Sequence, residues 1–382
     1  MSVSPRTTVT ESDRADHVRL ACVPGVGPRL RRRLLDRFGS PKEVFAASPA
    51  DIAAVDGVGR RLAGSIQALA AAPTADDVMS LCAKEGVEIV VEGAAGYPPL
   101  LSRIDDPPGV LFVRGSFEPR DSLAVAIVGA RHATAYGQKV AEHLGGALAR
   151  AGYTVVSGLA RGIDAAAHRG ALKAGGRTIA VLGSGVLNVY PPEHDELARE
   201  VIDSGAMMSE LPPLAEPMPG TFPQRNRIVS GLSLGVVVVQ AAERSGALIT
   251  ARLAGEQGRE VFAVPGAIDC RMSRGCHRLI RDGASLVESV DDILEELGPL
   301  FETVTAADGR PVQRPAELRL GDIERRVLDA CDLLAEGGSR AVTIDAVVDA
   351  SGLAASQVLA TVGVLEMRRL IRRLPGNQII RA

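Results

Sequence analysis

The stretch VVSGLARGIDAAAHRGAL, Val155 to Leu172, sets a serine, an aspartate and a histidine within twelve residues: Ser157, Asp164 and His168. A hydroxyl, a carboxylate and an imidazole are the parts of a nucleophilic hydrolase. Such a serine needs a strained G-x-S-x-G elbow, and the nearest match, Leu182-Gly183-Ser184-Gly185, is one residue out of register. An aspartate in the first turn of a helix has simpler work, accepting from free N–H groups and offsetting the dipole. Asp164 and His168 are therefore read as structural. Cys270, Cys276 and His277 are part of a zinc set, but no second ligand pair follows. A dinucleotide fingerprint fails as well. Gly129-Ala130-Arg131 puts a large cation at the second glycine, Ser157-Gly158 ends the next apolar run without a carboxylate, and Asn188 stands where Gly183-Ser184-Gly185 needs its third glycine. No cofactor and no metal are expected.

Cations and a flat ring remain. Arg131, Arg161, Arg225, Arg227 and Arg244 flank apolar runs, and Phe222 precedes Arg225-Asn226-Arg227. Five guanidinium groups are too many for one pyrophosphate. Unpaired nucleic acid wants this combination: cations along the backbone, an aromatic face for a base, and amides for base edges. All but four of the 43 basic residues are arginine, so an anion site here must be built from guanidinium forks and backbone N–H groups. Net charge is only −3, so any such site is local.

The elements that would carry these residues alternate. Apolar, β-branched runs at Ala124–Gly129, Thr154–Gly158, Thr178–Gly183, Gly235–Gln240 and Val261–Gly266 are separated by helical patterns at Ala135–Arg150, Ile163–Ala174, Pro192–Asp203 and Ala247–Gln257. Runs without alternation are strands buried on both faces, so residues 96–300 are expected to form an α/β, extended Rossmann-like, doubly wound parallel sheet. Such a sheet gathers functional residues at the carboxyl ends of its strands. Gly129, Ser157, Gly158 and Gly183 lie there.

Residues 1–95 open with a weak repeat. VPGVGPRLRRRLLDRFGS and VDGVGRRLAGSIQALAAA each carry Gly-x-Gly before a basic amphipathic helix, Gly25 and Gly27 in the first, Gly57 and Gly59 in the second. That is the pattern of a tandem helix-hairpin-helix (SAM-like) domain, whose helix N-termini offer backbone N–H groups to phosphate. Residues 301–319 read as a linker. Residues 320–382 carry helices at Asp322–Leu334, Ile344–Ala350 and Ala354–Arg369 and a hairpin turning at Pro375-Gly376-Asn377, which is the winged-helix plan. Arg368, Arg369, Arg372, Arg373 and Arg381 give it a basic margin.

No apolar run reaches the ~20 residues of a membrane span, and MSVSPRTTVTESDR is too polar for a signal peptide. A cytoplasmic protein with no membrane partner is expected. Five irregularly spaced cysteines make no disulfide framework.

The motifs taken together resemble the DNA processing protein A family (DprA, also called Smf). The resemblance rests on Ile127–Arg131 with Tyr136-Gly137; Ser157–Asp164 with Ala167-His168; Thr178–Gly183 with Tyr190-Pro191; and Phe222–Ile228, Arg244–Thr250 and Val261–Gly266, in this order. It implies a core that binds single-stranded DNA without hydrolysing it, a homodimer, and help in loading the RecA recombinase during natural transformation. By motif, Arg131, Phe222, Arg225, Asn226 and Arg227 would grip the strand, with Gly129, Ser157, Gly158 and Gly183 lining the pocket and Arg161 and Arg244 adding contacts. Ala130, Pro219 and His277 depart from the usual pattern. The alternative is a nucleotide-processing enzyme using the same crevice, dependent on Asp164 or Glu210; a pure interaction scaffold is a third reading.

Overall fold

The computed structural model describes residues 11–70, 74–94, 96–297, 304–305, 311–312, 321–336, 341–367, 370–374 and 377–381. At the amino-terminal end six helices form, α1 (Glu11–Ala21), α2 (Pro28–Phe38), α3 (Pro41–Ala46), α4 (Pro49–Ala53), α5 (Arg60–Ala70) and α6 (Thr74–Glu85). The repeat is real in three dimensions. Gly25 and Gly57 take φ of +91° and +85°, which only glycine adopts freely, and turn the chain into α2 and α5. A Cβ at Gly25 would touch Leu62, and one at Gly57 would press on Leu30, so each hairpin packs on the other's second helix in the same register. Leu20, Leu34, Ile52, Ala63 and Ile66 fill the space between them.

The central sheet has nine strands in the order β1-β2-β6-β5-β4-β3-β7-β8-β9. They are β1 (Glu88–Val91), β2 (Val110–Gly115), β3 (Ala124–Val128), β4 (Thr154–Ser157), β5 (Thr178–Val181), β6 (Ala206–Ser209), β7 (Gly235–Val238), β8 (Glu260–Ala263) and β9 (Ser285–Leu286). From β6 to β9 all pairs are parallel, while β1 and β2 add an antiparallel edge. The five expected strands are β5, β4, β3, β7 and β8, neighbours in the sheet, and β3 to β7 are buried along their whole length. β6 was not expected because Ala-Met-Met-Ser carries no β-branched residue. β1 corrects the 1–95 boundary: it lies in the sheet, and with it Val18 of α1 and Cys82 of α6 join the core cluster around Phe112 and Met207.

Helices α7 (Ala135–Arg150), α8 (Ile163–Lys173), α9 (Asp195–Ser204), α10 (Thr221–Gly231), α11 (Gly246–Glu256), α12 (Arg274–Arg281) and α13 (Val290–Leu297) connect and cover the strands. The chain runs outward from β3 through β4, β5 and β6, then returns beside β3 as β7. The resulting switch point lies between β3 and β7, and a crevice opens beyond their carboxyl ends.

Within 301–319 the described residues pair as a short ladder, β10 (Val304–Thr305) with β11 (Pro311–Val312); the rest of the expected linker lies outside the described residues. The last unit holds α14 (Asp322–Glu336), β12 (Ala341–Thr343), α15 (Ile344–Ser351), α16 (Ala355–Met367), β13 (Ile371–Leu374) and β14 (Gln378–Arg381). This is a winged helix with a third strand, β12, that the sequence pattern did not show. Arg368, Arg369, Pro375 and Gly376 lie outside the described residues. Among the described residues no single helix is long and apolar enough to cross a membrane.

Candidate nucleic-acid interface

A cleft of about 610 Å³ occupies the switch point. Gly129 and Arg131 reach it from the loop after β3, Gly158 from the loop after β4, and Phe222, Arg225 and Asn226 from α10. The FPQRNR segment is helical, and this decides what its cations do. Two residues on a helix turn through about 200°, so Arg225 and Arg227 leave opposite sides of α10.

Arg225 enters the cleft floor. It donates to the Val181 carbonyl, its Nε has no hydrogen-bond partner, and a Cβ at Gly158 would collide with its guanidinium. Burial pulls its pKa down to about 10; Asp164 acts against that fall and Arg131 with it. Arg131 lies with its guanidinium carbon 5.0 Å from the centre of the Phe222 ring, a cation–π contact. Tyr190 packs on the same ring at 5.7 Å, tilted by 51°. Gly183 is glycine because a Cβ there would come within 2.7 Å of Phe222. Asn226 donates to the Gly246 carbonyl at 3.3 Å, pinning α10 to the start of α11. The Arg131 loop is held from below by Gln240, whose carbonyl accepts from Ala130 at 2.7 Å and whose side chain accepts from Thr134 at 3.0 Å.

Other expected site residues stand elsewhere. Arg227 lies beneath α10, bonded through both terminal nitrogens to Glu210 at 2.7 and 2.6 Å, and to the Asp106 carbonyl at 3.0 Å. Ser157 is fully buried and donates to the Ile127 carbonyl at 2.6 Å, a bond internal to the sheet. Arg244 lines a neighbouring groove with Arg274, Arg278 and Arg281. Arg161 is exposed at the rim and paired with Glu193. The five expected cations are thus two in the cleft, one at its edge, one buried and one next door.

The hydrolase parts are all engaged. Asp164 accepts from the Gly158 and Ala160 N–H groups at 3.1 and 3.4 Å; burial raises its pKa, opposed by Arg225. Thr178 donates its hydroxyl proton to the Val155 carbonyl, so His168 must donate to it from Nδ1 at 2.7 Å, leaving a bare, buried Nε2. Burial lowers the His168 pKa to about 3 and that of His17 to about 4, both well below 6.5. The unfolded chain then holds more protons between these values, so stability falls as pH drops from about 6.5 towards 4. Urea unfolding at pH 7 and pH 5 should show a lower midpoint at pH 5, and His168→Leu should flatten that difference. Cys276 is buried in the core and His277 bonds the Gly266 carbonyl at 2.9 Å; no metal-ligand group exists among the described residues.

The amino-terminal glycines are placed unequally. Around Gly25 and Gly27 three of the five α2 arginines turn towards the central domain. Arg31 fills a slot over Gly109 and bonds Glu92, Arg32 donates to the Asp105 carbonyl at 2.9 Å, and Arg29 lies 3.7 Å from Asp106. After Gly57 and Gly59, Arg60 and Arg61 face solvent. In the winged helix Arg372 is exposed and Arg373 is paired with Glu366 at 3.1 Å. The helix such modules lay in the major groove, α16, carries no arginine or lysine over Ala355–Met367.

Comparison with known proteins decides the family. The family model for DNA recombination-mediator protein A matches residues 88–298, more than half of the chain. The chain belongs to the DNA processing protein A (DprA/Smf) family. A SAM-like helix-hairpin-helix tandem matches residues 19–72 and the DprA winged helix domain residues 311–377, so all three units have counterparts in family models. Protein Smf of Escherichia coli is 41% identical over 284 residues, 74% of each chain. The crystal structure of DNA processing protein A from Streptococcus pneumoniae superposes with a TM-score of 0.64 at 33% identity, covering 76% of this chain and 99% of that one. That from Helicobacter pylori, studied for its single-stranded DNA binding mode, gives 0.50 at 29%, covering 55% and 95%. The DprA/Smf resemblance read from the motifs is therefore correct, and with it the Rossmann-like core and both flanking modules. Tyr190, which lines the cleft, and Gln240, which holds the Arg131 loop from below, were left out of the site by that reading. An aromatic among prolines, in a chain with 3% aromatics, was the available signal for the first.

Proposed function

We propose that this member of a recombination-mediator family binds single-stranded DNA at the switch-point cleft, as a homodimer that hands the strand to the RecA recombinase. The observation that carries the reading is a charge imbalance: two guanidinium groups, Arg131 and Arg225, share the cleft with one buried carboxylate, Asp164. A phosphate would relieve their repulsion, and the Phe222–Tyr190 face would take a base. The similarity to the H. pylori protein supports this occupant over a mononucleotide. The reading includes no bond cleavage. Ser157, Asp164, His168 and Glu210 all serve internal hydrogen bonds, which speaks against the nucleotide-processing alternative.

Fluorescence anisotropy with single- and double-stranded oligonucleotides of equal length tests the proposal. The single strand should bind more tightly, and Arg131→Ala should weaken it about tenfold while making the slope of log K against log salt shallower by about 0.7, one phosphate contact. Unchanged curves for Arg131→Ala across salt would place the strand elsewhere.

A further inference from the structure

Arg161 stands at the edge of the cleft, next to Ala160 and Tyr190, which line it. It is half-exposed and bonded by Nε to Glu193, which is equally exposed. This is not a chance crossing of two loose surface chains. His194, the next residue, is buried and its Nδ1 bonds the Leu159 carbonyl at 2.8 Å, two residues before Arg161. Pro191 and Pro192 precede Glu193 and fix the backbone entering its turn. Leu159, fully buried with φ of +55°, and Gly162, with φ of +77°, set the other side. Both loops are therefore clamped so that the carboxylate and the guanidinium meet. The Tyr190 oxygen further favours the charged form of Arg161, after the bond to Glu193 itself. Along the rim the side chains then run Glu193, Arg161, Tyr190, Phe222, Arg131.

We infer that Arg161 extends the strand-binding surface by one further nucleotide beyond the Phe222–Tyr190 face, and that Glu193 occupies the place of its phosphate on Arg161 until a strand displaces it. This rests on the reading of the cleft as a single-stranded DNA site. A carboxylate offers Arg161 the same two-oxygen acceptor geometry that a phosphate does. An exposed pair of this kind is weak, so it yields to a polyanion whose binding also releases a condensed counterion. The presence of Glu193 keeps the rim neutral towards stray anions and makes Arg161 available only to a chain already held at Arg131.

A double-mutant cycle tests it, using the full-length chain and a fluorescent oligothymidylate. Glu193→Gln should tighten binding about fivefold and steepen the salt slope towards one additional phosphate, about 0.7. Arg161→Ala should cost no more than about twofold in the unaltered chain but about tenfold in the Glu193→Gln background, because only there is its whole contact with the strand unmasked. Additive effects, or a Glu193→Gln protein that binds as the unaltered one does, overturn the inference while Arg131-dependent binding remains. If the unaltered chain and Glu193→Gln both ignore the oligonucleotide, the underlying reading falls with it.

Discussion

Replacing Arg225 by leucine will abolish oligonucleotide binding and destabilise the fold by about 3–5 kcal/mol, the range for stranding one member of a buried charge pair. Asp164 would keep two backbone N–H donors and lose its opposing cation. Its pKa, already raised by burial, would rise further. The folded state would then bind the proton more tightly than the unfolded chain, so the variant's deficit grows as pH climbs above about 4 and is smallest in acid. Adding Asp164→Asn removes the stranded charge and keeps an acceptor for Gly158 and Ala160. That double variant should recover most of the stability and none of the binding. Urea unfolding and anisotropy on the same preparations separate the two effects; a double variant that binds as the unaltered protein does would remove Arg225 from the site.

The second large effect lies under the same helix. Glu210→Ala leaves the Arg227 guanidinium, only 5% exposed, without its two-point partner, again at about 3–5 kcal/mol. Glu210→Gln, which retains one acceptor, should lose about 1–2 kcal/mol. Replacing both residues, Glu210→Leu with Arg227→Met, exchanges a buried ion pair for apolar packing and should restore stability, with oligonucleotide affinity within about threefold of the original. Such a result fits a pair that seats α10 and makes no contact with the strand. If the double replacement folds but fails to bind, Arg227 belongs to the interface after all.

These two arginines show what the sequence could and could not say. The central strands were legible because Val-rich runs such as Gly235–Val238 carry their burial in composition. β6 was not, since Ala206–Ser209 is a strand only because β5 and β2 lie on either side of it. The site's address at the strand ends followed from topology, and Arg131, Phe222 and Arg225 are found together there. What failed was direction. Arg225 and Arg227 sit two positions apart, and only the helical setting of Thr221–Gly231 separates them. The acceptors that claim Arg227 come from Glu210 and from Asp106, which is 121 residues away in the chain. Glu193's hold on Arg161 was equally invisible, because the bond between His194 and Leu159 that aligns them spans 35 residues.

Asp105 and Asp106 take on a role larger than their size. From one side α2 leans on them, Arg32 on Asp105 and Arg29 on Asp106; from the other, Arg227 anchors α10 to Asp106. They act as a shared strut, so the amino-terminal helices brace α10 without lining the cleft. Cutting the chain back to the sheet at Glu88 would kick out one leg of that support. A core trimmed in this way would keep every residue of its cleft and still grip less firmly, and part of what looked like contact made by the missing hairpins would be bracing they had supplied from behind.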